Sequence, residues 1–397
     1  MTVLPNQGVL RKKRTKNRPR GVRILLAPNA FKGSLSAAQA ARAMATGVRR
    51  SGGTATLLPL ADGGDGTLDV LRKPLGLIIR RTKALDPLGR PIPVRWGYNP
   101  KTRWAVIEMA EASGLAVLKS VECRRRPMET TSFGTGQLIR AAIRAGAKVV
   151  FLGLGGSATV EGGLGILQAL GSIIWVRKEK GIVPLERPAT GRDLELVHSI
   201  DAAPAVHTLK GVRLRVLCDV KNPLLGARGA ARAFGPQKGA TPREVLWLER
   251  GLNRLAVLAR SEGKEISTLP GTGAAGGAAA GLLGFTNARL ERGTDTIFRL
   301  IGLEKHVKRA DVVMAGEGRV DRTSWEGKAL GSLLPLCRRH NKPLIAVAGG
   351  IGPGGRRPGV RVRSIGRPRM SQEDKIHNAA TLIENAAALF PMERVSV

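Results

Sequence analysis

The sequence predicts an α/β protein of more than one domain, with mostly parallel strands. Short apolar runs alternate with segments whose apolar residues recur every three or four positions, which is typical of strands alternating with helices. The predicted strands repeatedly end in loops rich in glycine and carboxylates, and ligands of open α/β sheets bind at that edge. A chain of 397 residues is long for a single core, so roughly two or three domains are expected.

The first part of the chain begins the alternation. VRILLAP is predicted as a strand, and TATLLPL as the next strand, ending in the loop ADGGDGT at residues 61–67. LIIRRTKAL and PIPVRWGY are strands on either side of DPLGRP, whose proline and glycine predict a turn. TRWAVIEMA is a further strand. Between the first two strands an amphipathic helix is predicted, with the apolar stripe Leu35, Ala38, Ala41, Ala45 and Val48.

The rest of the chain continues the pattern. The helix GTGQLIRAAIRAG leads into the strand KVVFLGL, the loop GGSATVEGG and the helix LGILQALG. RLRVLCDV, ADVVMAGEG and PLIAVAG are strands of the buried type, each followed by glycine, polar or Asn-Pro signals. The uncharged residues 266–288 contain Pro270 and six glycines, so they predict a loop and a tightly packed helix instead of a membrane span.

The charge is strongly basic. Lys and Arg number 65 against 30 Asp and Glu, a formal charge of +35. Such a charge indicates a polyanion partner, but an Arg-rich proteome or an anionic substrate explains it equally. Residues 1–20 contain basic and no acidic side chains and are predicted to be a disordered tail, and residues 338–369 form a second acid-free stretch. The aromatic content of 3% argues against base stacking on nucleic acid.

The cysteines argue against two classes of protein. Cys123, Cys218 and Cys337 are far apart and form no CxxC pair, so neither a structural zinc site nor a disulfide framework is expected. A reducing cytoplasm fits this usage, and the predicted location is cytoplasmic.

The loop GLGGSATVEGG lies between a predicted strand and a predicted helix. Its glycines leave backbone amides open to an oxyanion, and Ser157 and Thr159 add hydroxyl groups. A tight turn that needs positive φ angles is the alternative for any single glycine. The combination of glycines with hydroxyls favours phosphate or carboxylate binding, with Gly155 and Gly156 as candidate contacts.

The carboxylates at strand ends form a second group of candidates. Asp62 and Asp65 in ADGGDGT could hold Mg²⁺ or accept a proton from a substrate hydroxyl, although an Asx-turn and a helix cap are the alternative. Asp219 in CDVKNPLLG lies at another strand end, where Asn222 and Pro223 predict a turn.

The segment AGEGRVDRTSWEGKA supplies a third group, directly after a buried strand. It contains Glu317, Arg319, Asp321 and Lys328, and such a mixture of acid and base suits a metal and phosphate site. A salt-bridge cluster on the surface is the alternative. Taken with the glycine loops, these residues indicate phosphoryl transfer.

A family resemblance strengthens that inference. The chain resembles class I glycerate kinases over about residues 21–350, and more weakly to its C-terminus. The resemblance rests on nine segments in the same order: APNAFKGSLSA, LPLADGGDGT, MAEASGL, TTSFGTGQLI, GLGGSATVEGGLGILQALG, CDVKNPLLG, FGPQKGAT, GTGAAGG and AGEGRVD…GKA.

The resemblance implies phosphorylation of D-glycerate by ATP with Mg²⁺, with 2-phosphoglycerate favoured over 3-phosphoglycerate as the product. It also implies two α/β domains with the active site in the cleft between them. Residues 21–85 and 290–397 would form a discontinuous Rossmann-like domain, into which residues 86–289 are inserted as the second domain.

One departure from the family pattern removes a charge. The family typically reads PDSFKG in the first motif, whereas this chain has Asn29. If a carboxylate there binds Mg²⁺ or acts as a base, the chain should be slow, whereas a residue that only caps the loop could be Asn. Glu161 and Asp65 stand where the family has Asp and Glu, and both keep the carboxylate.

These residues give a hypothesis for the mechanism. Lys32, beside a helix start at Gly33 and Ser34, would neutralise the transferred phosphoryl group, and Asp62 or Asp219 would accept the hydroxyl proton. Glu317 and Asp321 would place Mg²⁺. The candidate contacts to substrate or phosphate are Gly33, Ser34, Gly63, Gly64, Gly155, Gly156, Ser157, Thr159, Asn222, Arg319 and Lys328.

Two alternatives stay open. One is a kinase of another small hydroxy acid, and the other is a basic nucleic-acid or polyanion binder on a kinase-like fold with reduced catalysis. In the second case the basic tail could supply a nonspecific contact.

Overall fold

The structure, a computed structural model, describes residues 22–119, 126–179, 181–366 and 370–389. The tail predicted at residues 1–20 and Cys123 lie outside these ranges. The α/β class is confirmed, because strands and helices alternate along most of the described chain.

The strands follow the apolar runs of the sequence. In chain order they are β1 (Arg23–Pro28), β2 (Thr54–Leu57), β3 (Ile78–Leu85), β4 (Pro91–Asn99), β5 (Trp104–Glu108), β6 (Val149–Gly153), β7 (Ile173–Lys178), β8 (Gly181–Pro184), β9 (Val197–Asp201), β10 (Arg213–Leu217), β11 (Arg289–Glu291), β12 (Val312–Val320), β13 (Leu344–Ile351) and β14 (Val360–Ser364).

The helices lie between them. They are α1 (Ala37–Arg50), α2 (Thr67–Arg72), α3 (Met109–Ser113), α4 (Leu115–Lys119), α5 (Phe133–Arg144), α6 (Leu164–Leu170), α7 (Ala203–Thr208), α8 (Ala230–Phe234), α9 (Pro242–Ser261), α10 (Ala274–Phe285), α11 (Gly293–Leu300), α12 (Leu303–Arg309), α13 (Ala329–Arg339), α14 (Gln372–His377) and α15 (Ala379–Ala388). Short 3₁₀ helices cover Gly191–Leu196, Pro236–Lys238 and Arg322–Trp325.

The first sheet is parallel and has the order β14-β13-β12-β1-β2 in the described chain. Its central strands are apolar on both faces because helices cover both sides. Leu25 and Ala27 of β1 pack into one core cluster, whereas Ile24 and Leu26 pack into another. This alternation places β1 in the middle of the layers.

The second sheet has the order β11-β10-β6-β5-β4-β3. Strands β11, β10, β6 and β5 are parallel, and β4 and β3 add an antiparallel hairpin at the edge, as DPLGRP predicts. The division at residues 85 and 290 into two domains stays a prediction. Strand β3, which that division assigns to the first domain, pairs with β4 in the second sheet.

Two features differ from the sequence analysis. A small antiparallel sheet, β8-β7-β9, was not predicted, since β8 has only four residues and β7 and β9 end in charged residues. The first helix does not start at Gly33 and Ser34: residues 31–35 form a turn with Gly33 at φ 79°, and α1 begins at Ala37. Ser36 and Gln39 form a capping box, which fixes this start because it satisfies the free amides of the first turn.

The glycine-rich residues 266–288 form a loop followed by α10, as expected. Ala275, Gly276 and Gly277 have left-handed backbone angles at the start of that helix. Across the residues that the structure describes, no helix is both long and apolar enough to cross a membrane.

Candidate active site

The carboxyl ends of both main sheets meet at residues 58–67. The amide of Leu60 donates to the carbonyl of Pro28 at the end of β1. On the other side, the amide of Gly155, two residues after β6, donates to the carbonyl of Gly63 at 3.2 Å. Side chains that are far apart in the sequence are therefore brought together around Asp62.

A cavity of about 380 Å³ opens beside Asp62. This volume suits a small ligand or part of a nucleotide. One wall is the turn at residues 29–36 with the start of α1, which includes Lys32, Gly33 and Ser34. The other wall consists of Leu60, Asp62, Asp65, Gly66, Asp69 and Val70.

Asn29 is hydrogen-bonded at both ends of its amide group. Its Nδ2 donates to Asp62 Oδ2 at 3.4 Å, and its Oδ1 accepts the amide of Ala30 at 2.8 Å. The backbone amide of Asn29 donates to the carbonyl of Gly316 on β12. Asn29 therefore links the first turn to Asp62, a role that uses a donor a carboxylate does not have.

Asp219 lies half-buried two residues after β10. Its carboxylate accepts the amide of Thr294 at 3.0 Å and the Thr294 hydroxyl at 3.1 Å, both from the start of α11. Burial raises the pKa of Asp219 to about 6; the Thr294 hydrogen bonds oppose the shift and the charge of Asp62 adds to it. Asp219 and Asp62 are neighbours, since a Cβ on Gly293 would lie 3.2 Å from Asp219 Oδ2 and 2.7 Å from the carbonyl of Asp62.

The glycine loop after β6 packs directly on the loop of Asp62. A Cβ on Gly155 would overlap the Cα of Gly64, and one on Gly153 would lie 2.6 Å from the carbonyl of Gly63. The amide of Gly155 is already used by Gly63. In the described chain, the amides of Gly156 and Ser157 donate to no protein acceptor, so these two are the ones open to an anion.

Behind this loop lies a buried lysine. Lys238 is 3% exposed, and its Nζ donates to Ser157 Oγ at 2.8 Å and to the carbonyl of Thr159 at 2.7 Å. Burial lowers the pKa of Lys238 to about 7, and the charge of Glu161 opposes that shift. Burial also raises the pKa of Glu161 to about 7, opposed by hydrogen bonds and by Lys238.

Glu317, three residues before the end of β12, lies close enough to Asp62 for their charges to interact. The side chain is 8% exposed, and its Oε1 has no hydrogen-bond partner in the described chain. Burial raises its pKa; the Ser324 hydroxyl and Lys328 oppose the shift, while Asp62 and Asp321 add to it. A buried carboxylate oxygen without a partner is costly unless a ligand or cation completes it.

The neighbouring residues of that segment are more exposed. Asp321 Oδ1 caps the 3₁₀ helix by accepting the Thr323 amide at 2.9 Å and the Thr323 hydroxyl at 2.7 Å, which lowers the Asp321 pKa. Arg319 is 70% exposed and lies 3.7 Å from Asp321 Oδ2. Lys328 Nζ donates to the Thr323 hydroxyl. Asp321 Oδ2 accepts no hydrogen bond in the described chain and has only the long ion pair with Arg319.

Three residues that were predicted to contact a ligand have other surroundings in the fold. Asn222 Nδ2 donates to the carbonyl of Arg228 and so closes its own loop. Thr159 is fully buried, and Ser34 donates its hydroxyl to the carbonyl of Ile376 at 3.3 Å. The side chains of Asn222 and Ser34 hold segments together, whereas the Thr159 hydroxyl has no hydrogen-bond partner in the described chain. Contact of these three residues with a ligand stays a prediction.

Two residues beside the site, Glu108 and Lys238, were not predicted from the sequence. Glu108, 3% exposed at the end of β5, accepts the amides of Gly66 and Leu68 and so anchors the loop of Asp62 to α2. Its pKa is raised to about 7 by burial, against those two hydrogen bonds. The signals in the sequence are weak: Glu108 ends an apolar strand, and Lys238 lies between glycines in FGPQKGAT.

The arrangement combines acid, base and open amides at one sheet edge. Asp62, Asp219 and Glu317 can hold a proton or a cation, and Lys32 and the amides of Gly156 and Ser157 can face an anion. In the described chain, no three metal-ligating side chains cluster closely enough to hold an ion by themselves. A metal bound here would therefore take some of its ligands from the substrate.

Comparison with known proteins identifies the family. The model described as the glycerate kinase family matches residues 24–391. The chain is 38% identical to a glycerate kinase from Halalkalibacterium halodurans over 371 residues, covering 92% of this chain and 96% of that one. It is 36% identical to the glycerate 2-kinase of Escherichia coli K12, covering 83% and 86%.

A solved structure supports the same family assignment. The chain resembles a crystal structure of a protein described as glycerate kinase 2 from Salmonella typhimurium LT2, with 37% identity and a TM-score of 0.77. The match covers 93% of this chain and 96% of that one. The resemblance read from the nine motifs is therefore confirmed, and the chain belongs to the glycerate kinase family.

Proposed function

We propose that this protein transfers the γ-phosphoryl group of ATP to a hydroxyl of D-glycerate, with Mg²⁺, and releases ADP and phosphoglycerate. The observation that carries the proposal is the convergence of Lys32, Asp219 and Glu317 around Asp62, at the carboxyl ends of both main sheets. The family supports the substrate, and the name of the Escherichia coli relative supports 2-phosphoglycerate as the product.

The residues present fit a magnesium ion that is shared with nucleotide. Mg²⁺ is usually bound by one or two carboxylates together with substrate phosphates. Glu317 has a buried oxygen without a protein partner, and Asp62 and Asp321 lie near enough to shift its pKa. When bound there, the ion would neutralise charge on the phosphates; Glu317 is the principal candidate ligand, with Asp62 or Asp321 as the second.

Asp219 is the better candidate for the general base. A base acts best when its pKa lies a little below the working pH, and the pKa of Asp219 is raised to about 6. The Thr294 amide and hydroxyl fix the orientation of its carboxylate. Asp219 would take the proton of the glycerate hydroxyl as the oxygen attacks the γ-phosphorus, and the bond to the leaving ADP oxygen breaks.

The glycine loop and Lys32 supply the anion contacts. The open amides of Gly156 and Ser157 would face a carboxylate or phosphate. The exposed Lys32, which lines the cavity, would neutralise charge on the transferred phosphoryl group. Positioning and charge neutralisation account for most of the catalysis of phosphoryl transfer. We propose that the two sheets belong to two domains whose closure excludes water, which would otherwise compete as acceptor.

We also propose a cytoplasmic location. Cys218 and Cys337 are both buried free thiols, a usage typical of a reducing compartment.

The deciding experiment is an incubation of the purified protein with D-glycerate and MgATP, followed by phosphorus NMR. We expect a phosphomonoester signal of 2-phosphoglycerate that grows with ADP. L-glycerate, lactate and tartrate serve as acceptors in parallel reactions, and phosphorylation of one of these in preference to D-glycerate would indicate a kinase of another hydroxy acid.

Variants connect the activity to the site. Asp219→Asn should lower kcat by about a hundredfold or more, as the loss of a general base does. Asp201→Asn, at an exposed aspartate on the small antiparallel sheet, is the matched control and should keep wild-type kinetics. No phosphoglycerate from the wild type, with or without added Mg²⁺, would refute the proposal.

A further inference from the structure

Lys238 is buried where a lysine would ordinarily be exposed. It ends the short 3₁₀ helix Pro236–Lys238, in a loop before α9, and yet its side chain is only 3% exposed. Its Nζ reaches Ser157 Oγ at 2.8 Å and the carbonyl of Thr159 at 2.7 Å. Burying a lysine costs free energy, so an apolar or exposed residue would be the simpler choice for stability alone.

The chemistry of these two contacts fixes the direction of the serine hydrogen bond. In its ammonium form, which the charge of Glu161 favours, the Lys238 Nζ has hydrogens and no lone pair, so it donates to both of its partners. Ser157 Oγ must then accept from Lys238, and its own hydrogen is free to point to another acceptor. In the described chain no protein acceptor takes that hydrogen, so the hydroxyl is left as a donor.

The donor lies beside other groups that suit an anion. Ser157 is 6% exposed and follows Gly156, and the backbone amides of both residues have no protein acceptor in the described chain. The loop that carries them is clamped against Gly63 and Gly64 of the Asp62 loop. Three N–H and O–H donors thus occur within two consecutive residues at the candidate site.

Two carboxylates also belong to this environment. Glu161 is fully buried near Lys238 and offsets its charge. Asp65 lies against Gly156, since a Cβ on that glycine would overlap its carboxylate. Glu161 and Asp65 are thus negative charges beside the glycine loop. The ammonium group of Lys238 is the positive charge that contacts the Ser157 hydroxyl.

We propose that Lys238 is a positioning residue that holds the Ser157 hydroxyl as a hydrogen-bond donor to an oxyanion of a bound substrate. The oxyanion is either the carboxylate of the hydroxy acid or a phosphate of the nucleotide. Lys238 does not touch the substrate and acts through Ser157. The inference rests on the proposed function, because it assigns a role within the same site.

The test compares Lys238→Met, Ser157→Ala and the double variant with the wild type. Methionine fills most of the space of the buried side chain, being one heavy atom shorter, and removes the charge and the N–H donors of Lys238. Each single variant should raise the KM for one anionic substrate about tenfold, the size of a lost hydrogen bond to a charged group, with kcat within about threefold. The KM of the double variant should not exceed that of the single variant with the higher KM, because both changes remove one shared contact.

The choice of substrate identifies the oxyanion. A rise in KM for D-glycerate alone places the substrate carboxylate at Ser157, and a rise for ATP alone places a nucleotide phosphate there. Unchanged KM values for both substrates in a folded Lys238→Met variant would overturn the proposal. Additive effects in the double variant would overturn it too, since Lys238 would then act independently of Ser157.

A second, partly buried hydrogen bond controls for a merely structural effect. Trp96 Nε1 donates to Thr82 Oγ1 at 2.8 Å within the β3–β4 hairpin. Trp96→Phe removes that bond and should lower the melting temperature without changing either KM. If it raises the same KM as Lys238→Met, general loosening of the fold explains the result and the proposal fails.

The proposed function can fail separately from this inference. If the wild type makes no phosphoglycerate, calorimetric titrations with D-glycerate and with MgADP decide the role of Lys238. Binding of either anion by the wild type that weakens about tenfold in Lys238→Met would support the positioning role without kinase activity. Binding of neither anion by the wild type, or equal binding by both proteins, would overturn it.

Discussion

Asp219 is held at the end of β10 by the amide and hydroxyl of Thr294, and its pKa is raised to about 6 mainly by burial. A base must be ionised to accept a proton, so kcat/KM should rise with pH through a transition near 6 and level off above it. A pH profile measured from pH 5 to 9 checks this expectation. Replacing Asp219 with Asn should remove the ascending limb along with most of the activity, and a limb that survives in the variant would assign it to another group.

Asn29 is the second residue that the structure places in a defined role. Asn29→Asp would put a carboxylate where Nδ2 now donates to Asp62 Oδ2 at 3.4 Å. Two carboxylates at this separation repel, which raises the pKa of one of them. We expect the variant to lose activity at pH 6 relative to pH 8, and kinetics at both pH values test this.

The opposite result would change the interpretation of Asn29. A substantially higher kcat for Asn29→Asp at every pH would show that the reaction lacks a carboxylate in this chain. Asn29→Ser, which shortens the side chain and adds no charge, is the matched comparison. Unchanged kinetics in both variants would leave Asn29 as a hydrogen-bonding loop residue.

At the scale of elements, β5 positions the loop of Asp62 through its last residue. Glu108 accepts the amides of Gly66 and Leu68, one with each carboxylate oxygen. Glu108→Gln would turn an NH₂ group towards one of these amides and leave a buried N–H unpaired. Such a loss costs about 1–3 kcal/mol, so we expect a lower melting temperature and kcat/KM reduced about tenfold or more.

An exposed glutamate serves as the control for this variant. Glu265 Oε1 also accepts a backbone amide, that of Ser267 at 2.7 Å, but it is exposed and does not line the cavity beside Asp62. Glu265→Gln should leave the kinetic constants unchanged. If Glu108→Gln behaves in the same way, β5 does not set the geometry of the loop.

At the scale of the whole molecule, the charge of +35 still needs an explanation. In the described chain, the contacts that build the candidate site come from residue 28 onward, at the end of β1, and the basic residues 1–20 lie outside the described ranges. Deletion of residues 1–20 should leave KM and kcat within about twofold of the values for the full chain, and the melting temperature within a few degrees. Steady-state kinetics and calorimetry on the two proteins measure this.

The same pair of proteins tests a polyanion contact. Retention on heparin should fall steeply with salt if basic side chains bind a polyanion. A large drop in retention after the deletion would place that contact in residues 1–20, and equal retention would place it in the body of the protein. Loss of kinase activity on deletion would contradict the expectation that the tail is separate from the site.

Much of the fold could be predicted because its signals are local. Apolar runs and helical spacing lie within windows of a few residues, and they located strands such as β1, β6 and β12 and the helix α5. The start of α1 was misplaced because the turn at Gly33 resembles a cap, and the capping box at Ser36 decided the boundary. The small sheet β8-β7-β9 was missed since β8 has only four residues and β7 and β9 end in charged residues.

The sequence by itself determined the family, the α/β class and the loops that carry the candidate site, because nine ordered motifs and their periodicities lie in the chain itself. Only the tertiary structure decided which side chains act as partners. Lys238 and Ser157 are 81 residues apart, Asp219 and Thr294 are 75 apart, and Glu108 and Gly66 are 42 apart. Such pairs form when the strand ends of two sheets meet, and no local pattern records that meeting.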